Sequence, residues 1–265
     1  MRKTPKKWSE EEIDFIKNNY YRTSCEYCAE QLNLPIDVVY GKISRLKLKK
    51  ECKYDLELFK NVTNKYVSYL LGYIWADGHI HHNRIILSII RTDGDEIVPI
   101  FDKIGYYKLH YMKEMGKNKE KTSFVLYSSE LTDFFRKHDY GIKSKVSPNK
   151  ILELISDELK QYFFRGLIDG DGCFYNNKKH STYQFTVSST YEQDWSYMIN
   201  LCDSLNISRY EINKQNRKLK NGNQSKYSQF RLCRKNDVKL LGNYIYQDYD
   251  QIGLKRKYNK FKEIC

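Results

Sequence analysis

Leu70-Leu71-Gly72-Tyr73-Ile74-Trp75-Ala76-Asp77-Gly78 recurs, 94 residues on, as Phe164-Arg165-Gly166-Leu167-Ile168-Asp169-Gly170-Asp171-Gly172. Repetition of this kind reads as two copies of one structural unit. In each copy two small residues stand four apart, Gly72 and Ala76 in the first, Gly166 and Gly170 in the second. On a helix that spacing places both on one face. Two such faces can pack with their backbones unusually close, near-parallel about a pseudo-two-fold axis. The helix ends then deliver Asp77 and Asp171 side by side. A carboxylate at a helix C-terminus opposes the helix dipole, and two carboxylates together repel. A divalent cation relieves both problems, because hard cations take carboxylate and carbonyl oxygens. Gly78 and Gly172 suit a left-handed turn ending each helix.

The flanking sequence continues the repetition. In the first copy Arg84-Ile85-Ile86-Leu87-Ser88-Ile89-Ile90-Arg91 reads as a strand. Residues 93–104 suit a helix, 106–114 and 122–128 a hairpin, and Leu131 to His138 a second helix. In the second copy Thr182 to Ser188 reads as a strand, 191–205 as a helix, 209–215 and 226–233 as a hairpin, and Val238 to Tyr246 as a helix. Alternation puts Tyr183, Phe185 and Val187 on one face and Gln184 and Thr186 on the other.

The 265 residues carry 46 basic and 33 acidic side chains, net +13, with 40% hydrophobic residues. Apolar material is sufficient for a core, which excludes disorder throughout. No apolar run approaches a membrane span, and the N-terminus lacks a signal-type stretch. Seven scattered cysteines argue against a secreted disulfide scaffold. The expectation is a soluble intracellular protein. Its excess charge runs along the whole chain and not in a tail, which suits a long nucleic-acid footprint.

The paired stretches resemble the double signature of the LAGLIDADG homing endonucleases, over roughly residues 65–265. The second copy is very close to the consensus. The first departs at Trp75, where the family often has an acidic residue. The resemblance implies an α+β fold of two pseudo-symmetric αββαββα repeats, residues 65–155 and 156–265, whose saddle-shaped sheets lie on DNA. It implies cleavage of both strands of a long asymmetric double-stranded DNA target by a monomer, leaving short 3′ overhangs. Mg²⁺ (or Mn²⁺) would be held by Asp77 and Asp171, with the carbonyls of Ala76 and Gly170 as further ligands. The family also places a lysine near each metal site. Lys143 and Lys257 are favoured for that role, with Lys145 and Lys255 close by. The acid-to-lysine distance is 66 residues in one copy and 86 in the other, so the repeats are not equivalent. Polar strand residues Gln184, Thr186, Gln229 and Arg231, and Arg217 and Lys218 at the hairpin turn, are expected to contact DNA. A catalytically silent DNA-binding regulator or RNA-splicing maturase is the alternative on the same scaffold.

Residues 1–50 read separately, as three short helices joined to the repeats by a linker, 51–64. Ser9 and Glu12 have capping-box spacing, and Pro35 suits the first turn of the third helix. The stretch from Trp8 to Leu48 resembles small Myb-like or helix-turn-helix modules, which implies that Tyr40, Ser44 and Arg45 face DNA. Cys25 and Cys28 have zinc-ligand spacing but no second pair nearby, so thiols are expected. His79, His81 and His82 follow the first motif without a counterpart in the second. DNA contact or packing is expected of them, not metal binding.

Overall fold

The computed structural model describes all residues except 1–5, 21, 22, 24, 49–55, 106, 114–118, 178, 180, 181, 219–223 and 248, and the side chains of 217 and 218. Three helices, α1 (Glu10–Asn19), α2 (Cys25–Gln31) and α3 (Ile36–Arg45), come first. The Ser9 hydroxyl accepts the Glu12 N–H at 3.2 Å while the Glu12 carboxylate accepts the Ser9 N–H at 3.0 Å. This reciprocal cap satisfies two orphan donors. Asn33, at φ +50°, ends the second helical segment. Pro35 is the N-cap of α3, one position earlier than the sequence suggested. Ile16, Cys28, Ala29, Val39 and Ile43 make a small core of their own. The module rests on the rest of the chain through α2. The Tyr27 ring lies 4.8 Å from that of Tyr111, and Glu30 pairs with Lys113 at 2.6 Å.

After the short α4 (Glu57–Lys60), the chain runs twice through one order of elements. The first pass is α5 (Lys65–Asp77), β1 (Gly78–His81), β2 (Arg84–Ile90), α6 (Arg91–Phe101), β3 (Lys108–Met112), β4 (Lys121–Tyr127) and α7 (Ser129–Lys137). A short α8 (Asn149–Leu152) intervenes. The second pass is α9 (Lys160–Asp171), β5 (Gly172–Asn177), β6 (Thr182–Thr190), α10 (Ser196–Ser204), β7 (Glu211–Lys218), β8 (Gln224–Leu232) and α11 (Lys235–Ile245). α12 (Lys255–Lys262) follows. The expected αββαββα order is therefore present in both copies. The sheets are antiparallel, ordered β1-β2-β4-β3 and β5-β6-β8-β7. Each buries one face: Ile85, Leu87 and Ile89 alternate inward on β2, and Phe185 and Val187 on β6. One apolar core runs through both repeats.

Some boundaries move for local reasons. α10 starts at Ser196, not at 191, because Gln193 is drawn into the loop, donating to the carbonyls of Val146 and Asp194. α6 starts two residues early and ends sooner than expected.

α12 ties the end of the second repeat back to the first. The Arg256 guanidinium grips the Asp93 carboxylate of α6 with two bonds, 2.8 and 2.6 Å. Asp93 is only 5% exposed, so removing its partner strands a buried charge. The arginine is half-exposed, which moderates the loss. Arg256→Met is expected to lower stability in urea by about 1–3 kcal/mol. The double variant Asp93→Asn/Arg256→Met should recover much of it, and a fully additive loss would argue that the pair does not act as a unit.

Candidate functional site

The site is built by the approach of α5 and α9. A methyl group added to Gly72 would lie 1.9 Å from the Phe163 carbonyl oxygen, and one on Gly166 would lie 2.0 Å from that of Tyr69. The two contacts are mirror copies, since 69 and 163 are 94 apart, as are 72 and 166. Equivalent residues meet, so the helices run in parallel about a pseudo-two-fold axis. Further along, a methyl on Gly170 would meet the Ala76 methyl at 2.5 Å and Asp77 Oδ2 at 3.1 Å. The first motif's carboxylate thus lies against the second motif's last small residue. Asp77 and Asp171 are the final residues of their helices.

The glycines that follow do not adopt the left-handed conformation the sequence suggested. Gly78 has φ −73° and Gly172 −83°, both extended. Their reason is space. A methyl on Gly78 would lie 2.6 Å from the Ile74 carbonyl oxygen and from the Tyr140 hydroxyl, and one on Gly172 would lie 2.6 Å from Ile168. Each helix therefore turns directly into the first strand of its sheet.

A lysine closes each helix end. Lys143 Nζ donates to the carbonyls of Trp75 (2.7 Å), Ala76 (2.9 Å) and Gly78 (2.7 Å). Lys257 Nζ donates to the Gly172 carbonyl, with Ile168 O at 3.5 Å. Lys145 instead pairs with Glu192 at the surface, and Lys255 is exposed. Burial pulls the Lys143 ammonium down to about 8, opposed by Asp171 and then Asp77. Burial lowers Lys257 as well, and Arg256 adds to the effect. The carboxylates move the other way. Burial and then Asp77 push Asp171 up to about 6, while Lys143 and Lys257 oppose the shift. Burial raises Asp77, again against the two lysines. Both acids still reach solvent, which screens part of this cost.

The lysines are seated by different devices, neither legible in the motif lysines themselves. In the first repeat Tyr140 donates its hydroxyl to the Ile74 carbonyl at 2.7 Å and lies edge-on to Trp75, ring centres 5.7 Å apart. Lys143 Nζ stands 4.7 Å over the Tyr140 ring. Trp75 thus packs where the second copy has Asp169. That carboxylate is fully buried and accepts the Leu254 N–H (2.7 Å) and the Tyr69 hydroxyl (2.8 Å). Burial pushes it up to about 7, although both bonds pull down. Arg165, fully buried, donates to the carbonyls of Ile245, Gln247 and Ile252. Together they fasten the segment that leads into Lys257.

Ala76, Lys143 and Asp171 line one cleft of about 250 Å³, together with Ser188, Gln193 and Tyr197. The donors that could hold an ion are all oxygens, namely the two carboxylates and the carbonyls of Ala76 and Gly170. Among the described residues no group of three or more His, Cys, Asp or Glu side chains gathers. The donor chemistry suits Mg²⁺ or Mn²⁺. Three carbonyls already cradle an ammonium at 2.7–2.9 Å, so this corner of the fold accepts positive charge.

The remaining candidates fall on two surfaces. Gln184, Thr186, Gln229 and Arg231 share the outward face of the second sheet, where Thr186 pairs with Arg231 and Ser188 with Gln229. With its amide turned to face the guanidinium, Gln184 accepts from Arg231 Nε at 3.0 Å. Arg217 and Lys218 pair in β7, and their side chains lie outside the described residues. Tyr40, Ser44 and Arg45 are exposed on α3, Tyr40 at 66%. His79 and His81 are exposed on β1, and the His81 and His82 rings meet edge-on at 4.3 Å.

Residues 152–241 match the family model for the homing endonuclease domain. No curated protein matches the chain. Among solved structures it resembles the homing endonuclease I-WcaI bound to its DNA recognition sequence, at 17% identity over 82% of this chain and 96% of that one, TM-score 0.49. It also resembles the N-terminal LAGLIDADG domain of DUF199/WhiA, at 16% identity over 81% and 98%, TM-score 0.41. A third likeness is to I-DmoI in complex with DNA and Mn, at 13% identity over 68% and 96%, TM-score 0.40.

Proposed function

We propose that this chain, whose residues 152–241 match the homing endonuclease family model, is a site-specific endonuclease that cuts both strands of a long asymmetric DNA target. The observation that carries the reading is the pair of in-register helices that end on Asp77 and Asp171, each end closed by a half-buried lysine. Both helices belong to one chain, which supports a monomer on an asymmetric site. Among the described residues no helix is long and apolar enough to cross a membrane.

Asp77 and Asp171 would hold divalent ions, with the Ala76 and Gly170 carbonyls as further oxygen donors. Mg²⁺ or Mn²⁺ there would supply charge neutralisation at the scissile phosphate and a more acidic water. Lys143 Nζ, held against Ala76 O at 2.9 Å, meets the phosphate as a point charge, its proton loosened by burial. Lys257 has the corresponding place on the other helix. Such charge stabilisation is strong where water is excluded. The outward sheet faces lie in the major groove, and α3 reads a flanking segment.

Selection from a randomised duplex library identifies the target, and cleavage is then followed with Mg²⁺, Mn²⁺ or EDTA. Ion-dependent cuts on both strands, staggered by a few nucleotides to leave 3′ overhangs, are expected. Specific binding without cleavage in any divalent ion would instead favour a regulator. For the N-terminal helices, Tyr40→Ala/Arg45→Ala is expected to weaken binding and to reduce the salt slope by about 1, with little change in the cutting rate once bound. An unchanged footprint and slope would remove α3 from the interface.

A further inference from the structure

The outward faces of the two sheets occupy equivalent places but carry different chemistry. Gly78 pairs with Leu87 as Gly172 pairs with Val187, which puts the two sheets in common register. On that register Ile86 corresponds to Thr186, Ile90 to Thr190, Val125 to Arg231 and Ser123 to Gln229. Among the described residues the second face offers six amide or guanidinium side chains: Asn177, Gln184, Asn213, Gln215, Gln229 and Arg231. These are the groups that make paired hydrogen bonds with adenine or guanine edges. Among the described residues the first face offers one, Arg84, which sits at the end of β2 over the Tyr127 ring, with the imidazoles of His79, His81 and His110 toward its edges. Its centre is the half-buried Ile86, backed by its buried cross-strand partner Val125, with the half-buried Ile90 beyond. The Ser88 and Ser123 hydroxyls between them bond to each other at 2.6 Å. Cationic side chains, Lys108 beside Val125 and Lys121 beside Ile90, frame this apolar strip.

We infer that the two sheets read their halves of the target differently, the first by apolar contact of Ile86 and Ile90 with thymine methyl groups, the second by hydrogen bonds to base edges. The inference rests on the endonuclease reading. The occupant of the first face is the major groove of duplex DNA. The framing lysines match its phosphates, and the face continues the polar surface of the second sheet across the pseudo-two-fold axis. Thymine is the only base with a methyl group in that groove, so an apolar strip has one partner there.

The test uses the full-length protein and its library-selected target. Gln229→Ala relaxes base preference under the second sheet and so assigns the halves. Each thymine is then replaced by deoxyuridine, which removes only the methyl group. In the half under the first sheet, each replacement at a contacted position is expected to weaken binding about threefold to fivefold. Replacements in the other half should change it by less than about 1.5-fold. Ile86→Thr, which installs the side chain found at the equivalent place, should erase part of the uracil penalty while the protein still binds. Equal tolerance of uracil in both halves, or a strongly selected first half without thymine, overturns the inference. Neither result touches the endonuclease reading, which fails separately if no duplex is bound specifically or cut.

Discussion

Asp171→Asn is expected to lower cleavage of the selected target about 10³-fold, a loss of about 4 kcal/mol of transition-state stabilisation, while making the ion-free protein more stable. The first effect follows from removing a charged oxygen donor from a site with two carboxylates. The second follows from the acid's surroundings. Burial and Asp77 push the carboxyl up to about 6 in the folded protein, above its unfolded value near 3.8. The folded state therefore binds its proton more tightly, and ionisation costs stability at every pH above that window. In EDTA the wild type should lose stability as pH rises from about 4 through 7, with Asp171, Asp77 and Asp169 all contributing. The asparagine variant should lose only the Asp171 share of that slope, so the two curves diverge between about pH 4 and 6. Solvent access trims the cost to about 1 kcal/mol, so the variant should melt about 2–4 °C higher at pH 7.5. Added Mg²⁺ should stabilise the wild type more than the variant. A variant that cuts normally would remove Asp171 from the chemistry. One that melts lower would show that the charge was well accommodated.

Gly166→Ala should have the largest effect on folding. One methyl group there would lie 2.0 Å from a main-chain oxygen of the facing helix, which no rotamer change relieves. The helices must separate, and the core on both sides loses contact with them. Overpacking usually costs 1–3 kcal/mol, but here backbone opposes backbone at the centre of the molecule. A loss of about 4 kcal/mol or more is expected, seen as insoluble protein or a much lower urea midpoint. Gly72→Ala should behave alike, because its contact is the mirror copy. Gly41→Ala, with nothing near its added methyl, is the control. Near-native stability in Gly166→Ala would mean that α5 and α9 are not packed this closely.

Much of this arrangement was legible before any coordinates. Small residues four apart, twice, require two close-packed helices, and the acids at their ends follow from the same spacing. The alternation in Thr182–Ser188 separated the buried Phe185 and Val187 from the outward Gln184 and Thr186. Long-range partners were not legible. Nothing local in Asp93 or Arg256 shows that they meet across 163 residues. The role of Trp75 was visible only as a departure, because its edge-on partner Tyr140 lies 65 positions away. Gly78 and Gly172 stand out in the sequence only as conformational residues, since sequence shows that a side chain is missing but not what fills its place.

The grip of Arg256 on Asp93 has a consequence for synthesis on the ribosome. The first repeat emerges early, yet α5 meets its partner helix only when residues 160–171 are out, and α6 receives its guanidinium later still. A nascent chain thus carries one acid-tipped helix with a bare glycine seam until residues 160–171 are out. Pairing of the two acids is coupled by this geometry to synthesis of the second repeat, so products terminated before residue 160 should expose an apolar seam and lack the paired carboxylates.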